Sequence, residues 1–160
     1  MISVRSKKRI ALRPEDELLV LVASVGSDPE RTERIHALVE KGLKWDVLFE
    51  SASHHGLLPL LYWHFHSNCR AAVPEAILGQ LQYAFHETSK TNLLLAGELL
   101  EILNRLESHG ILAIPFKGPT LAVKAYGNLA LRQFGDLDIL LEEEDLPRAK
   151  VRAAGGAPGD

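Results

Sequence analysis

Sulfur is scarce in this chain. Cys69 is the single cysteine of its 160 residues, so no intramolecular disulfide can form and a reducing compartment, the cytoplasm, is the expected home. Long apolar runs are missing too. The strongest, residues 18–26, falls far short of the roughly 20 residues that a membrane-crossing helix needs, and Arg13, Glu15, Asp16 and Glu17 break up the stretch behind the basic Ser6-Lys7-Lys8-Arg9 start before it reaches signal-peptide length. An excess of positive charge is also absent. The formal net charge is -3 with Lys and Arg scattered, which gives no support for a nucleic-acid or lipid partner. No serine or cysteine sits in a nucleophile-elbow or triad sequence. The seven histidines lack ligand spacing: His54 and His55 are adjacent, and His64 and His66 are two apart on a predicted helix, so neither pair faces one zinc ion.

What is present is a hydrophobic share of 46% against 24% charged, the balance of a globular protein with a sizeable core. Pro14 followed by three acids predicts one helix start, and Ser27-Asp28-Pro29-Glu30 a second that stops at Gly42. A third amphipathic segment begins at Trp45 and is interrupted at His54-His55-Gly56. A fourth begins near Pro59, and its aromatics Tyr62, Trp63 and Phe65, with Phe85 beyond, could line a pocket for a base or an acceptor, but aromatics in amphipathic helices are more often core. From Pro74 to about His109, Leu78, Leu81, Phe85, Leu95, Leu99, Ile102 and Leu106 follow three- and four-residue steps through Thr88 and Asn92, which predicts one long helix ended by Gly110.

Beyond Gly110 the pattern changes. Residues 111–116 and 134–141 read as strands, with a short helix from Pro119 to Tyr126 between them and an acid-opened helix after Leu141. The fold class is therefore α+β. We divide it as a helical region 1–109, a core 110–150 and a tail 151–160 of alanine, glycine and proline with no packing signal.

Function should lie after Gly110. Asp136 and Asp138 flank Leu137, and a strand's period of two would send both carboxylates to one face. Two acids so placed repel unless a cation lies between them, which suits an oxygen-loving ion such as Mg²⁺ or Mn²⁺. The blander reading is a pair of solvated acids at a strand end. Lys117-Gly118-Pro119 tips the balance, because a strand-to-helix junction offers backbone N–H groups and a cation to phosphate oxygens.

Ile114-Pro115-Phe116-Lys117-Gly118-Pro119, then Tyr126-Gly127, Arg132 and Gly135-Asp136-Leu137-Asp138-Ile139-Leu140, resembles the signature of the uncharacterised nucleotidyltransferase family in the polymerase-beta-like superfamily. The resemblance covers roughly residues 75–150. It implies the first strand-helix-strand part of a mixed sheet, with Asp136 and Asp138 as catalytic metal ligands, Lys117, Gly118 and Arg132 on the nucleotide, and transfer of a nucleotidyl group from a nucleoside triphosphate to an acceptor hydroxyl that the residues do not identify. Two departures stand out. Pro119 replaces the serine usual after the glycine, removing a hydroxyl and an N–H. No later strand brings a third carboxylate, and Glu142, Glu143, Glu144 and Asp145 lie too close in sequence to supply one. The expectation is a chain truncated at its C-terminus, with a non-catalytic remnant or helical interaction module as the alternative to an enzyme.

Overall fold

The computed structural model describes residues 12–26 and 28–153, so the basic start and residues 154–160 of the tail lie outside the described residues. Four short helices come first: α1 (Pro14–Val22), α2 (Pro29–Glu40), α3 (Trp45–His54) and α4 (Leu58–His64). Their starts follow local chemistry. Pro14 opens α1 with acids in its first turn, and the Asp28 carboxylate caps α2 by accepting a hydrogen bond from the Arg31 N–H at 3.2 Å. The last of the four does not stop cleanly. It runs into a π-helical turn, Phe65–Cys69, and a 3₁₀ turn, Arg70–Ala72, before the 34-residue α5 (Glu75–Ser108).

The apolar faces of α1 to α4 converge with the start of α5 on one core. Leu18, Ile35, Leu48, Leu61, Phe65 and Leu81 are almost fully buried in it, and Trp45 packs edge-on against Phe65 with ring centroids 6.1 Å apart. Inside this body Glu15 is buried, yet its carboxylate accepts a hydrogen bond from the Lys44 N–H at 2.9 Å. That bond, helped by its own backbone N–H, holds the Glu15 carboxyl below the usual range. Cys69 is also buried, and burial pushes its thiol up to about 11.

Gly110 takes φ +66° and turns the chain out of α5 into β1 (Ala113–Phe116), α6 (Gly118–Tyr126), a 3₁₀ turn (Leu129–Leu131), β2 (Asp138–Leu141), a second 3₁₀ turn (Glu143–Asp145) and α7 (Leu146–Ala153). The fold is α+β, as expected, and its described sheet has two antiparallel strands in the order β1-β2. Phe116 pairs with Asp138, Pro115 with Ile139, Ile114 with Leu140 and Ala113 with Leu141. Both strands are shorter than the sequence predicts. Residues 134–137 fall outside the ladder because their antiparallel partners would begin at Lys117, where the chain leaves β1 for α6.

Directly opposed residues share a face. Ala113 and Leu141 therefore pack down onto a second small core of Leu106, Ile111 and Ala149, while Ile114 and Leu140 on the other face are 56% and 54% exposed. Because Phe116 and Asp138 share that open face, the register aims Asp138 away from the core. Helix α5 takes part in both clusters, through Leu81 in the first and Leu106 in the second.

Candidate functional site

The sheet and α6 meet at Lys117. Its backbone sits at φ 56°, ψ -139°, among the described residues the one non-glycine with positive φ. A lysine pays for this region with steric strain of order 1–3 kcal/mol, because its Cβ crowds the neighbouring carbonyls, and such strain gathers at ligand clamps. Here the strain makes the chain reverse within one residue. The Lys117 carbonyl accepts the first helical bond from the Leu121 N–H at 2.9 Å, so α6 starts directly at the end of β1. Its first N–H groups, without partners inside the helix, face this junction together with the positive end of the helix dipole.

Gly118 must be glycine for two reasons. Its φ is +39°, and a Cβ placed on it would lie 3.3 Å from the Asp136 carbonyl oxygen. The turn is thus pressed against the backbone that carries the aspartates. The Lys117 Nζ lies 4.0 Å from Asp138 Oδ2 and 5.2 Å from the Phe116 ring centroid. With the two side chains 54% and 41% exposed, this pair is loose and solvent-screened, so the ammonium is free to move to a stronger anion. Asp136, also exposed, lies two residues ahead of β2 rather than inside it. Only Asp138 belongs to the strand, which corrects the picture of two aspartates on one ladder.

Arg132 is fixed by a different element. Asn92, fully buried on α5, donates through its Nδ2 to the carbonyls of Leu129 at 2.6 Å and Arg132 at 2.8 Å, and so ties the loop ahead of Asp136 to the long helix. The Arg132 Nη1 is buried and has no hydrogen-bond partner among the described residues, which leaves a donor in reserve. Lys117, Gly118, Asp136 and Asp138 are brought together by direct contacts, whereas Arg132 is held by Asn92 through its backbone carbonyl. Sequence reasoning missed two features. The strain at Lys117 carries no side-chain signal. Asn92 did carry one, as a polar residue on the apolar stripe of α5.

Among the described residues no three histidine, cysteine, aspartate or glutamate side chains converge as a metal-ligand set, and no helix is long and apolar enough to cross a membrane. The strand-turn-helix junction thus gathers a strained lysine, a close-packed glycine and two flanking aspartates. The family model for the uncharacterised nucleotidyltransferases matches residues 41–154, and the chain belongs to that family. No curated protein and no solved structure matches it. The matched span includes α3 to α5 as well as the sheet, so the helices that hold Asn92 and the Lys117 turn in place are part of the family domain.

Proposed function

We propose that the chain is a metal-dependent nucleotidyltransferase that binds a nucleoside triphosphate at the Lys117-Gly118 turn. The observation that carries this reading is the strained Lys117 backbone, which packs Gly118 against Asp136 while leaving Nζ within 4.0 Å of Asp138. Lys117 supplies a mobile positive charge to the phosphates, the N–H groups at the start of α6 supply directed donors, and Gly118 lets the ligand approach the backbone. Arg132, with its unpartnered Nη1, supplies a second cation from the tethered loop.

The donor set fits Mg²⁺ or Mn²⁺. Asp136 is exposed and Asp138 half-exposed, both free of short ion pairs, and Mg²⁺ is commonly held by one or two carboxylates with the remaining positions filled by water and substrate phosphates. Asp136 and Asp138 would hold it, and the ion would polarise a phosphoryl oxygen and favour deprotonation of the acceptor hydroxyl. In the net reaction the acceptor oxygen bonds to the α-phosphorus, the bond from that phosphorus to the β-phosphate oxygen breaks, pyrophosphate leaves and the hydroxyl proton passes to solvent.

The second reading, a binding-only module, is favoured by one observation, the lack of a third converging ligand among the described residues. Both readings are tested by titrating the protein with each Mg-nucleoside triphosphate and by assaying pyrophosphate release. Asp136→Asn and Asp138→Asn should each lower turnover by about 10²-fold or more, as expected for loss of a preorganised charge in a transition state. Nucleotide binding without any turnover supports the module. Turnover unchanged in both variants ends the enzymatic reading at this site.

A further inference from the structure

A cavity opens at the far end of α6. It has a volume of about 410 Å³ and lies where the helical body meets the sheet region, with Trp63 and His64 from α4, Ser67 and Asn68 from the π-helical turn, Tyr126 from the last turn of α6 and Leu131 from the 3₁₀ turn in its wall. Tyr126 lies eight residues after Gly118 along α6, so the cavity lies roughly 12 Å along the helix from the Lys117-Gly118 turn. It is therefore a different place from the site described above.

Several features make this a built pocket rather than a packing gap. The π-helical turn breaks the α4 pattern at the point where Ser67 and Asn68 enter the wall; such turns cost hydrogen-bond geometry and recur at functional sites. Trp63, assigned to the core by its sequence pattern, is instead 44% exposed at the cavity, unlike its neighbour Phe65, which is fully buried. His64 is 6% exposed, with Nε2 3.3 Å from the Ser24 carbonyl oxygen and a buried Nδ1 that has no partner among the described residues. With Nε2 donating to Ser24, Nδ1 is an unpaired acceptor, and a hydroxyl donor reaching it would remove the cost of leaving it so. Burial, and secondarily Arg31, hold this imidazole below its ordinary value against the opposing Ser24 and Val22 carbonyls.

Among the described residues no lysine, arginine, aspartate or glutamate lines the cavity. Arg31, which is not among the lining residues, donates through Nη2 to the carbonyl of Gly26, which is. Aromatic faces from Trp63 and Tyr126 beside hydroxyl, amide and imidazole groups, without a fixed charge, suit a ring that is apolar on its face and hydroxylated at its edge. We infer that this cavity binds a neutral hydroxylated ring, either a free sugar or the sugar of a nucleoside, independently of the nucleotide site.

The test uses the full chain without metal or nucleotide. Glucose, galactose and ribose form one arm, and uridine and adenosine the other, with binding followed by calorimetry and by quenching of tryptophan fluorescence. Saturable binding is expected in one arm, and which arm responds identifies the source of the ring. Trp63→Ala and Asn68→Ala, both at exposed side chains, should weaken it by at least about tenfold, and Asp138→Asn should leave it unchanged. Circular dichroism and thermal melting confirm that the variants fold. The inference is overturned if no probe in either arm saturates, if folded Trp63→Ala and Asn68→Ala bind as well as the parent, or if glucose 6-phosphate binds more tightly than glucose. Because no nucleotide is present, these outcomes leave the proposed transferase reaction to its own assay.

Discussion

The helical body and the sheet region are built to different standards. In the body, Phe65, Leu18 and Leu61 have no measurable exposure, and of its buried polar residues Glu15 is hydrogen-bonded while His64 keeps one ring nitrogen without a partner among the described residues. In the sheet region a lysine occupies backbone space suited to glycine, and Ile114, Phe116 and Leu140 stand half in solvent. The contrast teaches that stability is made in one place and conformational strain is held in another, with α5 and its Asn92 as the tie between them.

The comparison breaks first at the core. Phe65→Ala should lower unfolding free energy by about 3–5 kcal/mol through the cavity it leaves, read as a fall in the urea midpoint; a loss below about 1 kcal/mol would mean that the body repacks freely. Asn92→Ala comes next, at about 2–3 kcal/mol, because the half-buried carbonyls of Leu129 and Arg132 lose their donor. This variant should also weaken nucleotide binding through Arg132, and calorimetry that shows stability lost with affinity intact would remove Asn92 as the tie.

Lys117→Gly sharpens the contrast in the opposite direction. Relief of the backbone strain should stabilise the fold by about 1–2 kcal/mol while nucleotide affinity falls, the trade expected where strain serves a site. A thermal melt showing destabilisation would mean that the lysine side chain contributes more than its backbone costs. The smallest effect belongs to Glu15. Its folded-state value lies below its ordinary 4.5, so the stabilisation is fully present above that pH and is lost as pH falls through the folded value. Glu15→Gln should flatten this acid limb by about 1 kcal/mol in urea melts collected from pH 6 downward.

Much of the helical plan was legible. Pro14, Asp28-Pro29 and Gly110 act within a few residues of themselves, by presetting φ, accepting an N–H or entering left-handed space, so the observed helices start or stop where those residues stand. Strand ends were less legible, since β2 extends only as far as β1 has residues to pair, and the departure at Lys117 leaves Asp136 outside the ladder. Nor could the apolar spacing around Trp63 and Phe65 tell a π-helical turn from a continuing α-helix, and this is why Trp63 read as core.

Local chemistry by itself determined the α+β order, the long helix, the glycine-bearing turn and the identity of the two aspartates beside it, because each depends on residues close together in the chain. Tertiary structure decided the rest: that Gly118 rests on the Asp136 carbonyl, that Lys117 reaches Asp138 across a strand pair, and that Asn92 ties down the Arg132 loop from 37 and 40 residues away. Those contacts join distant segments. They form only when helix packing and strand register, which no short stretch of sequence encodes, bring the segments to the same point in space.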